Sequence, residues 1–194
     1  VSIASSDPSV NNQTNAHVGP CEEYRRKVCC KMSVDIQTQI TKLFEPALIV
    51  GRRNESIEVT LQVKLNQTET DVYTINITDE IPWDFTPPDP SEVRVYFIDY
   101  SPYAVKEITT NATVSVSVQD LPGTSNTLLY VNISNISQTD AGGYMQENDS
   151  IRIVYLMTSS QLEPNETRIM STNISLKDVD EHTHENSIQS SLTA

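Results

Sequence analysis

From about Ser33 onward the apolar residues of this chain recur at every second position, and that period decides most of what the chain can fold into. Val34, Ile36, Thr38 and Ile40 share one parity. Ile57, Val59, Leu61, Val63 and Leu65 alternate with Glu58, Thr60, Gln62 and Lys64. The same alternation runs through Tyr73, Ile75 and Ile77, then Val93, Val95 and Phe97, then Val114, Val116 and Val118. It returns at Leu129, Val131 and Ile133, at Ile151, Ile153, Tyr155 and Met157, and at Met170, Thr172, Ile174 and Leu176. A period of two places successive side chains on opposite faces of a strand. No helical period of 3.6 persists over a long window. Turn chemistry separates the runs, as at Pro87-Pro88-Asp89-Pro90, Pro122-Gly123 and Gly142-Gly143. Clean alternation belongs to antiparallel sheets with one wet face, and two such sheets bury their dry faces together. The expected fold is all-β: an Ig-like antiparallel sandwich of about eight strands with extended N- and C-terminal tails.

Asparagine is distributed far from randomly over this pattern. An N-glycosylation acceptor is Asn-x-Ser/Thr with x not proline. The chain has 14 Asn, 21 Ser and 20 Thr, so random placement puts roughly 3 Asn in such triplets. Ten are found there: Asn12, Asn54, Asn66, Asn76, Asn111, Asn132, Asn135, Asn148, Asn165 and Asn173. Strand parity tests this reading independently, because a glycan cannot face a core. Asn66, Asn76, Asn111, Asn132 and Asn173 all fall on the polar parity of their predicted strands. Equal odds for either face give that result about one time in 32. The other acceptors lie in predicted turns or the N-terminal arm. The chain is therefore expected to be extracellular or at a cell surface, its only non-protein component being covalent N-glycans, with no other cofactor.

Charge narrows the partners. Thirteen Lys and Arg against 26 Asp and Glu give a net charge of −13, which disfavours nucleic acid and anionic membranes. No apolar run approaches the roughly 18 residues of a membrane span. Val1 opens neither a basic nor an apolar leader, so the chain is expected to start after processing. Cys21, Cys29 and Cys30 sit within ten residues, an odd count that suggests one bridge and one remaining thiol. Cys21–Cys29 and Cys21–Cys30 are both open, and a vicinal Cys29–Cys30 bridge would be strained. Their spacing matches no common structural zinc site, and no metal is expected.

The organisation follows. Residues 1–20 form an extended arm, 21–176 the sandwich with a cysteine-bearing entry segment at 21–32, and 177–194 a polar C-terminal tail. In the arm, Val1, Ile3 and Val10 are the only apolar residues of the first 15 besides Ala4. Polar termini are ordered most easily by a neighbouring copy. The arm is thus a candidate donor strand that completes the sheet of the next subunit, with main-chain hydrogen bonds supplying the affinity.

Asp35 to Lys42, Pro46, Val50-Gly51, the strand Ile57 to Leu65, and Ile77-Thr78-Asp79-Glu80-Ile81-Pro82 together carry a family pattern. The pattern is a strand ending Thr-Lys, a proline, a glycine before a strand, and a closing Thr-Asp-x-x-Pro. It resembles the conserved Ig-like repeat domain of archaeal and bacterial cell-surface proteins over about residues 33–82. Where that family has an Asn-Gly turn after its second strand, this chain has Asn66-Gln67-Thr68. The resemblance implies an extracellular sandwich in envelopes, surface layers or filaments. With its dense acceptors and donor arm, the chain looks like subunits of archaeal bundling pili.

Catalysis finds little support. His17, His182 and His184 all lie in predicted tails, where no base is held rigidly beside a nucleophile. His182 and His184 with Asp178, Asp180 and Glu181 read as a solvated acidic segment rather than a metal site. Asp79, Glu80, Asp84 and Asp89 lie near Trp83 and Phe85, and paired carboxylates beside aromatics can cleave glycosides. Their turn positions favour a structural role, with Trp83 and Phe85 as core plugs. The expected function is a non-enzymatic structural subunit that polymerises with copies of itself. An adhesin or receptor ectodomain is the second reading and a surface glycosidase the third.

Overall fold

The alternation over 57–65 builds a strand whose odd residues are fully enclosed: Ile57, Val59, Leu61, Val63 and Leu65 are buried, and the residues between them reach solvent. Burying five such side chains is worth on the order of 10 kcal/mol before conformational entropy is charged against it. The computed structural model describes residues 36–47, 54–68, 70–136, 144–159, 162, 163 and 165–193. The arm 1–20 with Val1, Ile3, Val10, Asn12 and His17, and the segment carrying Cys21, Cys29 and Cys30, lie outside the described residues.

The described residues form eleven strands: β1 (Gln37–Glu45), β2 (Ser56–Gln67), β3 (Val72–Ile81), β4 (Phe85–Thr86), β5 (Arg94–Tyr100), β6 (Tyr103–Glu107), β7 (Val114–Asp120), β8 (Thr127–Ser134), β9 (Ser150–Ser159), β10 (Thr167–Asp178) and β11 (Thr183–Thr193). Sheet A has the order β1-β2-β9-β5-β6, with β4 paired to β9, and sheet B the order β11-β10-β3-β8-β7. All pairings are antiparallel. The inward residues of both sheets form one apolar core, from Ile57 in β2 to Leu192 in β11. The architecture is the expected Ig-like sandwich, with more strands than alternation alone announced.

The extra strands have physical reasons. The segment expected to be a polar tail is largely strand: β11 pairs with β10 along its whole length, Thr167 facing Thr193 and Lys177 facing Thr183. Its apolar content is low because only Ile188, Leu192 and a few polar neighbours turn inward. The exposed edge of β10 supplies main-chain partners that a polar sequence uses as well as an apolar one. β6 has no alternation because all five of its residues are exposed, and it is held by its ladder to β5. In the Pro122-Gly123 turn joining β7 to β8, Gly123 adopts φ +81°, a conformation that costs glycine nothing.

Candidate functional site

Two inward-facing charges set the centre of the molecule. Ile40 and Lys42 share parity in β1, and Ile75, Ile77 and Asp79 share parity in β3, so Lys42 and Asp79 both point between the sheets. Lys42 Nζ lies 2.6 Å from Asp79 Oδ1, with both side chains essentially inaccessible. Thr172 Oγ1, from β10, donates to the same oxygen at 2.7 Å, and Tyr155 OH, from β9, donates to Oδ2 at 2.6 Å. Two strands of each sheet thus meet on one carboxylate. Burial pushes the Lys42 ammonium below the usual lysine range, against the opposing pull of Asp79. Burial and the adjacent carboxylate push the Tyr155 phenol well above its ordinary value. The acceptor's two oxygens carry three donors, so the desolvation cost of the charges is met by good geometry. The cluster pins the register of one sheet against the other.

Acceptor asparagines occupy a distinct surface. Cross-strand rows on the outer face of sheet B read Ser115, Asn132, Asn76, Ser175, Glu185 and then Ser117, Tyr130, Thr78, Asn173, Ser187. Asn76, Asn132 and Asn173 therefore share one hydroxyl-rich patch on three adjacent strands, with Glu185 at its β11 margin, and Asn132 Nδ2 donates to Asn76 Oδ1. Asn66 is exposed in the penultimate position of β2. Asn111 is not in a strand: it precedes β7 and its Oδ1 accepts from Thr113 N at 3.0 Å and Thr113 Oγ1 at 2.9 Å. Asn54 is exposed just before β2. Asn135, Asn148 and Asn165 adopt φ of 68°, 74° and 69°, a left-handed turn conformation that asparagine tolerates better than most residues.

Sheet A presents the opposite surface. Its outer side exposes Leu43, Tyr100, Tyr103, Val105 and Leu156. Lys64 Nζ sits 5.8 Å from the centre of the Tyr100 ring. Tyr100 and Tyr103 face each other across the β5–β6 ladder.

The carboxylates considered for glycoside cleavage do not converge. Asp79 lies in the core cluster. Glu80 Oε1 accepts from Asn126 Nδ2 at 2.6 Å, and Asn126 Oδ1 in turn accepts from Trp83 N at 3.1 Å. Asp84 is buried with Oδ2 2.6 Å from Arg168 Nε. Asp89 caps the 3-10 turn Pro90–Glu92, accepting from Ser91 N and Ser91 Oγ, which hold its carboxyl below the usual range. Phe85 is a core plug as expected, whereas Trp83 is 65% exposed and is not.

His182 and His184 are better placed than a tail would allow. The carboxylate of Asp178, buried at the end of β10, accepts through Oδ1 from the N–H groups of Asp180 and His182, each at 2.9 Å. Its Oδ2 lies 3.2 Å from His184 Nε2 and 3.4 Å from His182 Nδ1. Burial alone raises this carboxyl; the hydrogen bonds from His182, His184 and Asp180 outweigh it and hold the group below its ordinary value. The arrangement closes the β10–β11 turn, in which Glu181 takes φ 68°. Sequence reasoning missed both of these carboxylate systems and assigned Asp79 and Glu80 to turn positions, whereas both lie within β3, where Asp79 shares the inward parity of Ile75 and Ile77.

No family model matches the chain, and no curated protein matches it. Solved structures do. The major pilin subunit BcpA of Bacillus cereus superposes with a TM-score of 0.54 at 9% identity, over 81% of this chain and 39% of that one. The full-length major pilin SpaD of Corynebacterium diphtheriae gives 0.54 at 10% identity, over 80% of this chain and 35% of that one. The collagen-binding subdomain of the Enterococcus faecalis surface protein ACE gives 0.49 at 12% identity, over 80% and 96%. The chain thus spans little more than a third of the pilins' length. At these identities the likeness is one of fold, and the fold is the Ig-like sandwich.

Proposed function

We propose that this chain is a non-enzymatic, N-glycosylated structural subunit of an extracellular assembly, a filament, pilus or surface layer. The observation that carries the reading is the patch on sheet B, where Asn76, Asn132 and Asn173 share a single wet, hydroxyl-rich face. The pilin-like fold supports it, as does the sequence resemblance to repeat domains of archaeal and bacterial surface proteins. In this reading subunits join head to tail, the arm 1–20 of one copy adding a strand to the next. A heterologous contact of that kind builds an open polymer rather than a ring. The inter-sheet cluster around Asp79 suits a load-bearing subunit, because sliding one sheet over the other breaks a buried ion pair and two hydrogen bonds together.

Peptide mass mapping of native material tests the glycans: occupied acceptors on the sheet B face are expected, and unmodified Asn76, Asn132 and Asn173 throughout would refute that part. Negative-stain imaging of the full chain and of a chain lacking residues 1–20 tests the assembly. Polymers from the first and none from the second are expected.

A second reading, an adhesive module, is favoured by the Tyr100, Tyr103 and Val105 surface on sheet A. Exposed tyrosines beside a lysine are common anchors of recognition surfaces.

A further inference from the structure

A sandwich has sheet edges, and an edge offers unpaired N–H and C=O groups to any passing strand. Three of the long edges here carry devices that discourage pairing. β1 points Lys42 inward and is tied to β11 by Asn186 Nδ2 donating to Thr38 Oγ1 at 2.8 Å. β11 is polar apart from Ile188 and Leu192, carries His184 and Glu185, and shares that same tie. β6 is only five residues long, follows Pro102 and ends Lys106-Glu107. The fourth edge, β7, carries none of these. Its sequence is Val114-Ser-Val-Ser-Val-Gln-Asp120, with no charge before Asp120, no proline and no lysine. Its three valines are only partly covered by the core against which they pack. The 3-10 turn Pro90–Glu92 lies beside β7 but forms no ladder with it.

The ladder shows which main-chain groups are on offer. Ser134 N donates to Thr113 O, and Leu121 N to Asn126 O, so odd-numbered residues of this strand bond to β8. Antiparallel ladders alternate, and the even residues therefore turn their N–H and C=O outward. Val114 N is already taken by Asn111 O. Val116 and Val118 are left with outward N–H groups, and Val114, Val116 and Val118 with outward carbonyls.

We propose that β7 is a self-association edge, pairing antiparallel with β7 of a second copy about a two-fold axis at Val116. The strand is complementary to itself in that register. Val116 exchanges both bonds with its own mate, and each Val118 N–H meets a Val114 carbonyl. Val114 then lies opposite Val118 on the core side and Ser115 opposite Ser117 on the wet side. Asp120 falls opposite Ala112, so the acidic chain meets itself here without opposing like charges. Asn111, the nearest preceding acceptor, falls beyond the paired segment, opposite Leu121. The arm 1–20 is a poorer occupant, since its apolar residues alternate only in two isolated pairs, Val1 with Ile3 and Ala16 with Val18. The contact is isologous and stands apart from the head-to-tail arm contact. It would join two protomers or two filaments side by side.

The test uses the full chain. Amide exchange at Val116 and Val118 should slow as protein concentration rises, alongside a concentration-dependent dimer in sedimentation velocity. The paired variants Ser115→Lys/Ser117→Lys and Ser115→Asp/Ser117→Asp place like charges opposite each other on the wet face without touching the valines. Each alone should weaken the dimer about tenfold, and mixing the two should restore it. Deleting residues 1–20 should leave the dimer and the protection of Val116 and Val118 unchanged while ending head-to-tail growth. Protection lost with the arm would make the arm the occupant and overturn the proposal. So would concentration-independent exchange at Val116 and Val118, or charged variants that associate like the parent or fail to recover on mixing.

Discussion

Two of the buried carboxylates among the described residues, Asp79 and Asp178, are built on opposite plans. Asp79 is served by Lys42, Tyr155 and Thr172, which lie 37, 76 and 93 residues away and come from β1, β9 and β10. Asp178 is served by Asp180, His182 and His184, all within six residues. The first bonds strands of both sheets and contains a lysine with no access to water. The second bonds one hairpin and keeps its histidines partly in solvent. A long-range tie makes the whole fold conditional on one side chain, whereas a local tie stabilises one turn. In a subunit that bears load, the first kind holds the sandwich together and the second holds its edge strand in place.

The largest expected effect separates the two plans directly. Asp79→Ala strands a buried ammonium and two hydroxyls, and should cost about 3–5 kcal/mol in denaturant unfolding. The loss should be global, with amides in β2, β3, β9 and β10 losing protection together. A cost below about 1 kcal/mol would mean that water reaches Lys42 and that the tie is not buried as described. Lys42→Met combined with Asp79→Leu removes both charges, and should recover most of the loss, since apolar replacements of buried pairs are often neutral. Thr172→Val removes one donor of three and should cost about 1 kcal/mol.

Asp178→Ala comes next in size, at about 1–3 kcal/mol, because it removes the acceptor of two main-chain N–H groups and two imidazole contacts. Its signature should be local. Hydrogen exchange should quicken in β11 and in the 179–182 turn while β2 and β9 keep their protection. Uniform loss across the sandwich would erase the contrast with Asp79.

These two sites also mark where the sequence could be read and where it could not. The sandwich was legible because burial on one face writes itself into every second residue, from Ile57 to Leu65 and from Ile151 to Met157. Lys42 and Asp79 stand on the apolar parity of their strands, so their inward direction was readable; that they meet was not, because strand order and register are long-range facts. The Asp178 turn was unreadable for another reason. β11 buries little apolar surface and is held by main-chain bonds, which leave no trace in side-chain pattern. β6 was hidden in the same way. The acceptor count needs a sharper reading as well. Asn135, Asn148 and Asn165 occupy left-handed turn positions where asparagine is favoured without any glycan. Asn76, Asn132 and Asn173 have no such turn requirement, and they carry the glycan argument.

The smallest expected effect is one of pH. Asp178 has a folded-state carboxyl held below its ordinary value, so the unfolded chain binds its proton first as acid is added. Stability from this group is therefore complete above the unfolded carboxylate range, about pH 4, and is lost as pH falls through the lower folded value. His184→Ala removes one of the bonds that depress the folded value and should cost about 1 kcal/mol at neutral pH. The same change moves the folded value back toward the unfolded one, so the variant has less stability to lose on acidification. Urea midpoints of the parent and His184→Ala, measured from pH 7 downward, should differ at neutrality and converge below about pH 4. The Tyr155 phenol is pushed upward by burial and the Asp79 carboxylate, away from that window, and does not mimic the convergence. Curves that stay parallel through the acid range would show that the imidazole contact carries no charge-dependent stabilisation, and the β10–β11 turn would then rest on the Asp180 and His182 N–H bonds alone.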